Sequence, residues 1–527
     1  MAPLVGAAAA RCAVVDLGSN SFRLVVYASD LSATDLPGGA WWRAGEIYEP
    51  ARIGADLGAD GTLQPASIER ALIATELFDH YCRSHGLTGD LVSAVATSAI
   101  REAPNRATFL DRVRATTGLE PQVLSQAAEA HYGHLAAINS TTLRDGGVLD
   151  IGGGSLQLVR TADRRATDVG SWRLGAVRMT ERFLSGSGPT PEDQQKALRK
   201  HVRKVLGESD WTSGLGERLV GVGGAVRNLA AAAQHRHGST DLGVQAVQVR
   251  RSTLGSLIEE LAALPVAERR TVDGVKPSRG DVILAAAITI DTVLEHTGID
   301  AIEATEFGLR DGIFLERQLT DLDGLDGLPA YPDVRGAAVE NLAARYDDDR
   351  PHRRHVTRIA LELYDRLGAC GTHADDPGER SLLEAAATLH DIGTAVNHDD
   401  HHKHGRYLVV TNGLPGFSPP ETALIGQAIR YHRKGSPTMK PFRALAREGD
   451  DERLLRLAAV LRLAEGLDRG HDQAVRAVEV TRSGDDVRLH LATGATGDPV
   501  ARWAAQGQAA LVERAFGVRL TVTDGTV

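Results

Sequence analysis

Short apolar runs alternate with amphipathic stretches through the first part of the chain. Cys12 to Val15 reads as a buried strand, broken by Asp16-Leu17-Gly18-Ser19-Asn20-Ser21 and resumed at Phe22 to Tyr27. The same construction returns a domain's length later: Val148-Leu149, then Asp150-Ile151-Gly152-Gly153-Gly154-Ser155, then Leu156 to Val159. Each unit predicts a β-hairpin whose Gly-rich turn exposes backbone N–H groups. Two such hairpins predict a duplicated domain with two facing phosphate-binding turns. Between them, Pro65 to His85, Asn105 to Thr117 and Ala127 to Ala137 carry helical periodicity. A strand at Leu91 to Ala96 runs into Thr97-Ser98-Ala99-Ile100-Arg101. The second half repeats the alternation, with a helix at Pro191 to Leu206 and a strand at Arg218 to Val222 ending in Gly223-Gly224. Strands alternating with helices predict an α/β architecture.

A Gly/Asp-rich stretch, Asp321 to Pro332, reads as a linker. Beyond it the pattern becomes helical and histidine-rich: eleven of the nineteen histidines fall at or after His352. From about Val475 it turns strand-like, with a helix near Arg502 to Phe516 and a last strand at Arg519 to Val522. The expected segments are 1–140, 141–322, 333–472 and 473–527. A chain of 527 residues is long enough for them, at roughly 100–200 residues per domain.

Composition narrows the classes without choosing one. With 42% hydrophobic and 24% charged residues the chain is globular rather than disordered. The apolar run Val282 to Ile290 is far too short to span a membrane. The apolar N-terminus lacks a preceding basic segment, so no cleaved signal is expected. Three cysteines make no disulfide framework, and the cytoplasm is the expected compartment. A net charge of −10 argues against nucleic acid or an anionic membrane as a general partner. The 59 basic residues are nearly all arginine, so arginine abundance is not evidence of phosphate affinity; only placement counts.

One Gly turn is usually only a hairpin. A matched pair can hold opposite sides of a phosphate chain, with the two Asp side chains recruiting Mg2+ or orienting water. DLGSNS at Asp16, ATSAIRE at Ala96, DIGGGS at Asp150 and EFGLRDG at Glu306 occur in the order seen in the exopolyphosphatase / guanosine pentaphosphate phosphohydrolase (Ppx–GppA) family. PSRGDVILAAAITI is similar to that family's helix before its closing motif. The resemblance covers essentially the whole chain. It implies two actin-like (ribonuclease H-like, ASKHA) domains, then an α-helical HD-like domain and a small C-terminal α+β module.

The implied reaction is hydrolysis of the terminal phosphoanhydride of inorganic polyphosphate, guanosine pentaphosphate, or both. The family's catalytic glutamate lies in Ser-Gly-x-Glu-Glu-Ala-Arg, matched here by Ser125-Gln126-Ala127-Ala128-Glu129-Ala130-His131. Glu129 takes the catalytic position, whereas Gln126, Ala128 and His131 depart from the pattern and are expected to change its electrostatic surroundings. In the implied mechanism Glu129 activates water, and Asp150 and Asp16 position Mg2+. A monovalent cation such as K+ is a further candidate. Gly18, Ser19, Asn20 and Ser21, with Gly152, Gly153, Gly154 and Ser155, cradle phosphates, and Arg101 pairs with a non-bridging oxygen. For Gly223-Gly224, a nucleotide-facing turn and mere strand–helix packing stay equally open. The resemblance also suggests a homodimer. Two alternatives are a non-catalytic polyphosphate- or alarmone-binding regulator (guanosine penta- or tetraphosphate) with a degenerate site, and a kinase of the same superfamily.

In the histidine-rich region, His352, the His390-Asp391 pair, His401, His402 and His404, His432 and Asp468 follow the order H…HD…H…H…D, which resembles HD-superfamily phosphohydrolases. Imidazole and carboxylate converging from several helices suit a divalent metal. The candidate ligands are His352, His390, Asp391 and Asp468, with Glu465 standing where a distal Asp is expected. The competing readings are a metal-free scaffold and an HD-type hydrolase regulated by the N-terminal half.

Overall fold

The computed structural model describes residues 9–32, 36–54, 57, 60–238, 242–320, 327–347, 349–493 and 498–526. The first eight residues, on which the signal-peptide expectation bears, lie outside this set. Two compact units divide the chain, one ending at Val334 and one beginning at Arg335.

The first unit contains two mixed sheets. Strands β1 (Ala10–Leu17), β2 (Phe22–Asp30), β3 (Ala40–Glu49), β4 (Val92–Ala96) and β5 (Gln122–Val123) are ordered β3-β2-β1-β4-β5. Strands β6 (Gly146–Ile151), β7 (Leu156–Ala162), β8 (Arg165–Trp172), β9 (Leu219–Val222), β10 (Gln248–Arg250) and β11 (Ala301–Ala304) are ordered β10-β11-β9-β6-β7-β8. Leaving out edge strand β10, both sheets have the same order, with three antiparallel strands followed by two parallel ones. The duplication read from the hairpins is therefore a duplication of topology. The third strands, β3 and β8, carry too little apolar alternation to stand out; β8 is mostly half-exposed.

Register aligns the two halves. Asp16 lies beside Val95 and Asp150 beside Val222, each one position or less from the end of its parallel neighbour. Both aspartates thus sit at the carboxyl ends of strands where the order switches from antiparallel to parallel. Ligands of open α/β sheets gather at such points.

The two halves exchange a helix, so the expected boundary at 140/141 does not coincide with a break in packing. The helix Gln126–Ile138 buries Ala130 and Ala137 against Val148, Val159, Val220 and Val222 of the second sheet. The helix Leu309–Leu319 returns to the first, where Phe314 stacks on Tyr27 at 4.3 Å and meets Trp41 at 5.0 Å. The same helix buries Asp311, which accepts from Arg43 Nη2 (2.7 Å), Tyr27 Oη (2.9 Å) and Gly308 N (2.8 Å). Burial alone would raise its pKa; the Arg43 guanidinium outweighs that, and the pKa lies below the ordinary value.

Residues 321–326 of the expected linker lie outside the described set. The remainder is packed: Ala330 joins Leu135 and Ile138, and Tyr331 N donates to Asn139 Oδ1 at 2.9 Å.

The second unit is helical: Arg350–Ala369, Pro377–Thr388, His401–Asn412, Pro419–Tyr431 and Asp450–Leu467. Strands β12 (Ala477–Ser483), β13 (Asp486–Thr493) and β14 (Arg519–Thr526) form a sheet behind them. Val478, Leu489 and Phe516 share one continuous core with Leu461 and Leu382, so no separate module begins at 473. The expected helix Arg502 to Phe516 is two, Pro499–Gln506 and Ala509–Phe516, parted at Gly507. Among the described residues no helix is long and apolar enough to cross a membrane.

Arg43→Ala would leave Asp311, 1% exposed, without its cation. Thermal unfolding should move down by the equivalent of about 3 kcal/mol. The exposed Arg112–Glu69 pair supplies the control, since Arg112→Ala should leave thermal unfolding essentially where it is. Equal small shifts in both variants would contradict the latch.

Candidate active site

A cavity of about 140 Å3 lies in the first unit. Its lining includes both hairpin turns (Gly18 to Ser21; Gly152, Gly153, Ser155), Asp16, Asp150 and Glu129. The two turns touch: a Cβ on Gly153 would stand 3.1 Å from Ser19 Cβ. Ser19 Oγ meets Ser98 Oγ at 2.8 Å and accepts from Ala99 N at 3.2 Å, tying the first turn to the end of β4. Gly154 does not reach the lining; it packs on Ser98, whose Oγ would be 2.8 Å from an added Cβ.

Gly223 and Gly224 form a third turn on the lining, opening the helix Gly224–Arg236. Gly223 has φ +96°, and a Cβ there would come within 2.8 Å of Asp150 Oδ1. This turn meets the site rather than serving packing alone.

Glu129 stands in the first turn of its helix, where Ser125 Oγ caps Ala128 N at 3.1 Å. Its Oε2 accepts from Arg101 Nη1 (2.6 Å) and Gln157 Nε2 (3.2 Å). Gln157 also reaches Ser155 Oγ at 2.9 Å, linking Glu129 to the second turn. Burial is the largest influence on Glu129, followed by the opposing pull of Arg101 and the push of Asp150 and Asp16; its pKa is raised to about 7. Burial likewise raises Asp150 to about 6, against Arg227, and raises Asp16 against Arg310.

Arg101 was expected on a phosphoryl oxygen, and the structure places it elsewhere. It is absent from the cavity lining, and its Nη1 is engaged by Glu129 and by Leu124 O at 3.0 Å. Here it forms an ion pair with Glu129 and pulls against the rise in its pKa. Four other arginines face the cavity: Arg23, Arg227, Arg279 and Arg310. Arg310 Nη1 lies 3.4 Å from Asp16 Oδ2, and Arg227 Nη1 donates to Glu306 O at 3.1 Å. Burial, then repulsion from Arg310, lowers Arg227 to about 10; burial lowers Arg23 and Arg279 too. A chain of net charge −10 has thus concentrated cations where a polyanion would sit. Sequence reasoning missed these four and Gln157. Abundant arginine hid the former, although Arg310 stands within the EFGLRDG motif.

The departures around Glu129 fall outside the cavity lining. Gln126 and His131 are exposed, and His131 Nε2 pairs with Glu316 Oε1 at 2.7 Å. None of Gln126, Ala128 and His131 lines the cavity.

The residues fit a hard divalent cation. The Asp150 carboxylate makes no hydrogen bond or ion pair among the described residues although it borders the cavity. With Asp16 it offers hard oxygen donors of the kind Mg2+ takes.

Residues 46–321 match the Ppx/GppA phosphatase family, and residues 334–497 match domain III of that family. The chain belongs to the Ppx/GppA phosphatase family. It is therefore a hydrolase. A guanosine-5'-triphosphate,3'-diphosphate pyrophosphatase of Vibrio vulnificus (strain YJ016) is 26% identical over 489 residues, 92% of each chain. The crystal structure of a Ppx/GppA member from Aquifex aeolicus is 25% identical, with a TM-score of 0.50, over 59% of this chain and 98% of that one. An exopolyphosphatase structure from Cytophaga hutchinsonii ATCC 33406 (21% identity, TM-score 0.53, the same coverage) supports the fold alone. The duplicated actin-like halves are thus the Ppx/GppA fold.

Within the second unit, His352, His390 and Asp391 converge. Asp468 does not join them. It accepts from His352 Nδ1 at 2.8 Å, while Glu465 Oε2 faces His352 Nε2 at 3.2 Å. Burial would lower both imidazoles, yet Asp468 and Glu465 raise His352 to about 10, and Asp391 and Glu465 raise His390 to about 9. His402 and His404 stand outside this group; His401 and His432 stand beside it, on Asp391.

Gly223→Ala should force a Cβ against Asp150 at a φ that L residues avoid, costing about 1–3 kcal/mol and lowering phosphatase activity roughly 100-fold. Gly86→Ala, also at positive φ (+72°) but with nothing within 4 Å, should leave activity unchanged. Equal activity in both variants would contradict the assignment of Gly223 to the site.

Proposed function

We propose that the protein removes the terminal phosphate of inorganic polyphosphate or guanosine pentaphosphate by hydrolysing its phosphoanhydride, in the cavity around Glu129. The observation that carries this is the arrangement itself: a buried glutamate beside two aspartates, facing three glycine turns and four arginines. The relatives named above act on such anhydrides by their names, and both candidate substrates present the same terminal group.

Glu129, held by Arg101 and Gln157, orients a water and accepts its proton as the water oxygen attacks phosphorus. A base with a pKa near 7 suits that task at neutral pH. The N–H groups of the Gly18 to Ser21 turn and of Gly153 and Ser155 in the second turn hold phosphoryl oxygens. Arg23, Arg227, Arg279 and Arg310 offset the charge on the phosphate chain and on the leaving oxygen. Mg2+, held by Asp16 and Asp150, would add charge neutralisation on the phosphoryl oxygens. A binding-only protein with a degenerate site is less well supported, because the departures that suggested it lie off the cavity lining.

Phosphate release should be measured from polyphosphate and from guanosine pentaphosphate with Mg2+, wild type against Glu129→Gln. The variant should lose roughly 100- to 10,000-fold in kcat with little change in KM. Unchanged release in Glu129→Gln would remove Glu129 from the mechanism. Tight binding without turnover by the wild type would overturn the proposal in favour of a regulator.

A further inference from the structure

The cavity of the first unit, about 140 Å3, is well below the roughly 300–1,000 Å3 of pockets that enclose a whole small-molecule ligand. It takes the reacting end of a phosphate chain, and the rest of the chain must lie outside. The way out is marked by how the two phosphate turns are held.

Each turn has carbonyl oxygens tied from behind by a later segment of its own half. Behind the first turn, Gly54 N donates to Ser19 O at 2.9 Å and Arg52 N to Asn20 O at 3.0 Å. Behind the second, Ala176 N donates to Gly152 O and Val177 N to Gly153 O, both at 2.9 Å. The two arrangements are equivalent. Each backing segment also carries an arginine that reaches a carboxylate on the opposite half.

The two arginines are held differently. Arg178, of the second half, donates from Nη2 to Glu102 Oε2 at 2.9 Å and from Nε to Gly154 O at 3.2 Å. Glu102 is largely buried, and Arg173 joins it at 3.2 Å. That side is fastened. Arg52, of the first half, places Nη2 3.4 Å from Asp281 Oδ2 of the second. Both side chains are close to half exposed (45% and 40%), and neither makes a hydrogen bond among the described residues.

An exposed ion pair of this kind contributes little to stability. Yet Arg52 is held at φ +45°, in the left-handed region that is costly for a residue other than glycine. The pair with Asp281 is too weak to offset that strain, and strain kept beside a catalytic cavity is a mark of function. Asn20, whose carbonyl Arg52 braces, lines the cavity, and so does Arg279, two residues before Asp281. The Arg52–Asp281 pair therefore stands at the rim of the cavity, on its unfastened side.

We propose that Arg52 is a further substrate-binding residue, which leaves Asp281 to take a phosphoryl group one or two places behind the one that reacts. This rests on the phosphoanhydride reading above and adds to it a site for the body of the chain. Asp281 is the competitor: its carboxylate holds the guanidinium until a phosphate chain, which carries more charge, displaces it. Polyphosphate and guanosine pentaphosphate share a run of three phosphoryl groups, so Arg52 serves either.

The test is equilibrium binding to the full-length protein carrying Glu129→Gln, with tripolyphosphate, guanosine pentaphosphate and inorganic phosphate as probes. Adding Arg52→Gln should weaken the first two roughly 10-fold, and adding Asp281→Asn should tighten both roughly 3-fold. Inorganic phosphate, which the cavity alone holds, should bind all three proteins alike. With Arg52→Gln already present, Asp281→Asn should change nothing, because no guanidinium is left to release. Arg112→Gln removes the same charge from an exposed pair elsewhere and should bind as the parent does.

Equal tightening by Asp281→Asn with and without Arg52 would reduce the carboxylate to a diffuse repulsion and overturn the exchange of partners. Weakening by both single substitutions would make the pair a structural brace and overturn the proposal too. A loss confined to guanosine pentaphosphate would place Arg52 on the nucleoside part and overturn its role on the chain. Binding indifferent to Arg52 would overturn this inference alone, whereas no binding of any probe would overturn the phosphoanhydride reading with it.

Discussion

The first unit is organised by the need to keep three carboxylates ionisable in one buried cavity. Burial raises the pKa of all three, Asp16 raises Asp150 further, and Asp150 and Asp16 together raise Glu129. Two unit charges about 4 Å apart at an effective dielectric of 20 interact by about 4 kcal/mol, so such a group persists only with cations arranged around it. Arg101 opposes the shift at Glu129, Arg310 at Asp16 and Arg227 at Asp150. For all three carboxylates desolvation still prevails. The result is a glutamate whose pKa lies near neutrality beside two buried aspartates, within a wall of arginines that repel one another.

Duplication explains how one chain builds this arrangement. Each half delivers an aspartate at the end of its first strand and a glycine turn after it. Each also delivers a second strand end alongside, Thr97-Ser98 in one half and Gly223-Gly224 in the other. The helix exchange breaks the symmetry. It puts Glu129 on the second half, opposite Arg101 of the first, and anchors Gly308 to Arg310 through Asp311. The Asp311 latch therefore bears on the cavity as well as on stability.

Local patterns were legible and distant pairings were not. The hairpins, both aspartates and Glu129 could be read because strand, turn and motif occupy a few adjacent residues. The Arg43–Asp311 pair joins residues 268 apart, and no local pattern predicts it. Arg23, Arg227 and Arg279 were lost among many arginines, and only the folded cavity separates them from surface pairs. Arg101 was found with a different partner from the one observed. In the second unit the histidines were visible in order, but their division into two groups on one Asp391 depends on packing. So does the placing of Asp468 on His352 Nδ1 and of Glu465 on its Nε2.

The central claim is that Glu129 acts as a base whose pKa Arg101 holds down. The direct measurement is kcat/KM against pH at fixed saturating Mg2+, wild type against Arg101→Gln. Glu129 works as the carboxylate, so activity should climb with pH as it ionises, and loss of the guanidinium should move that limb to higher pH by about 1. A limb at the same pH in both proteins would contradict the account.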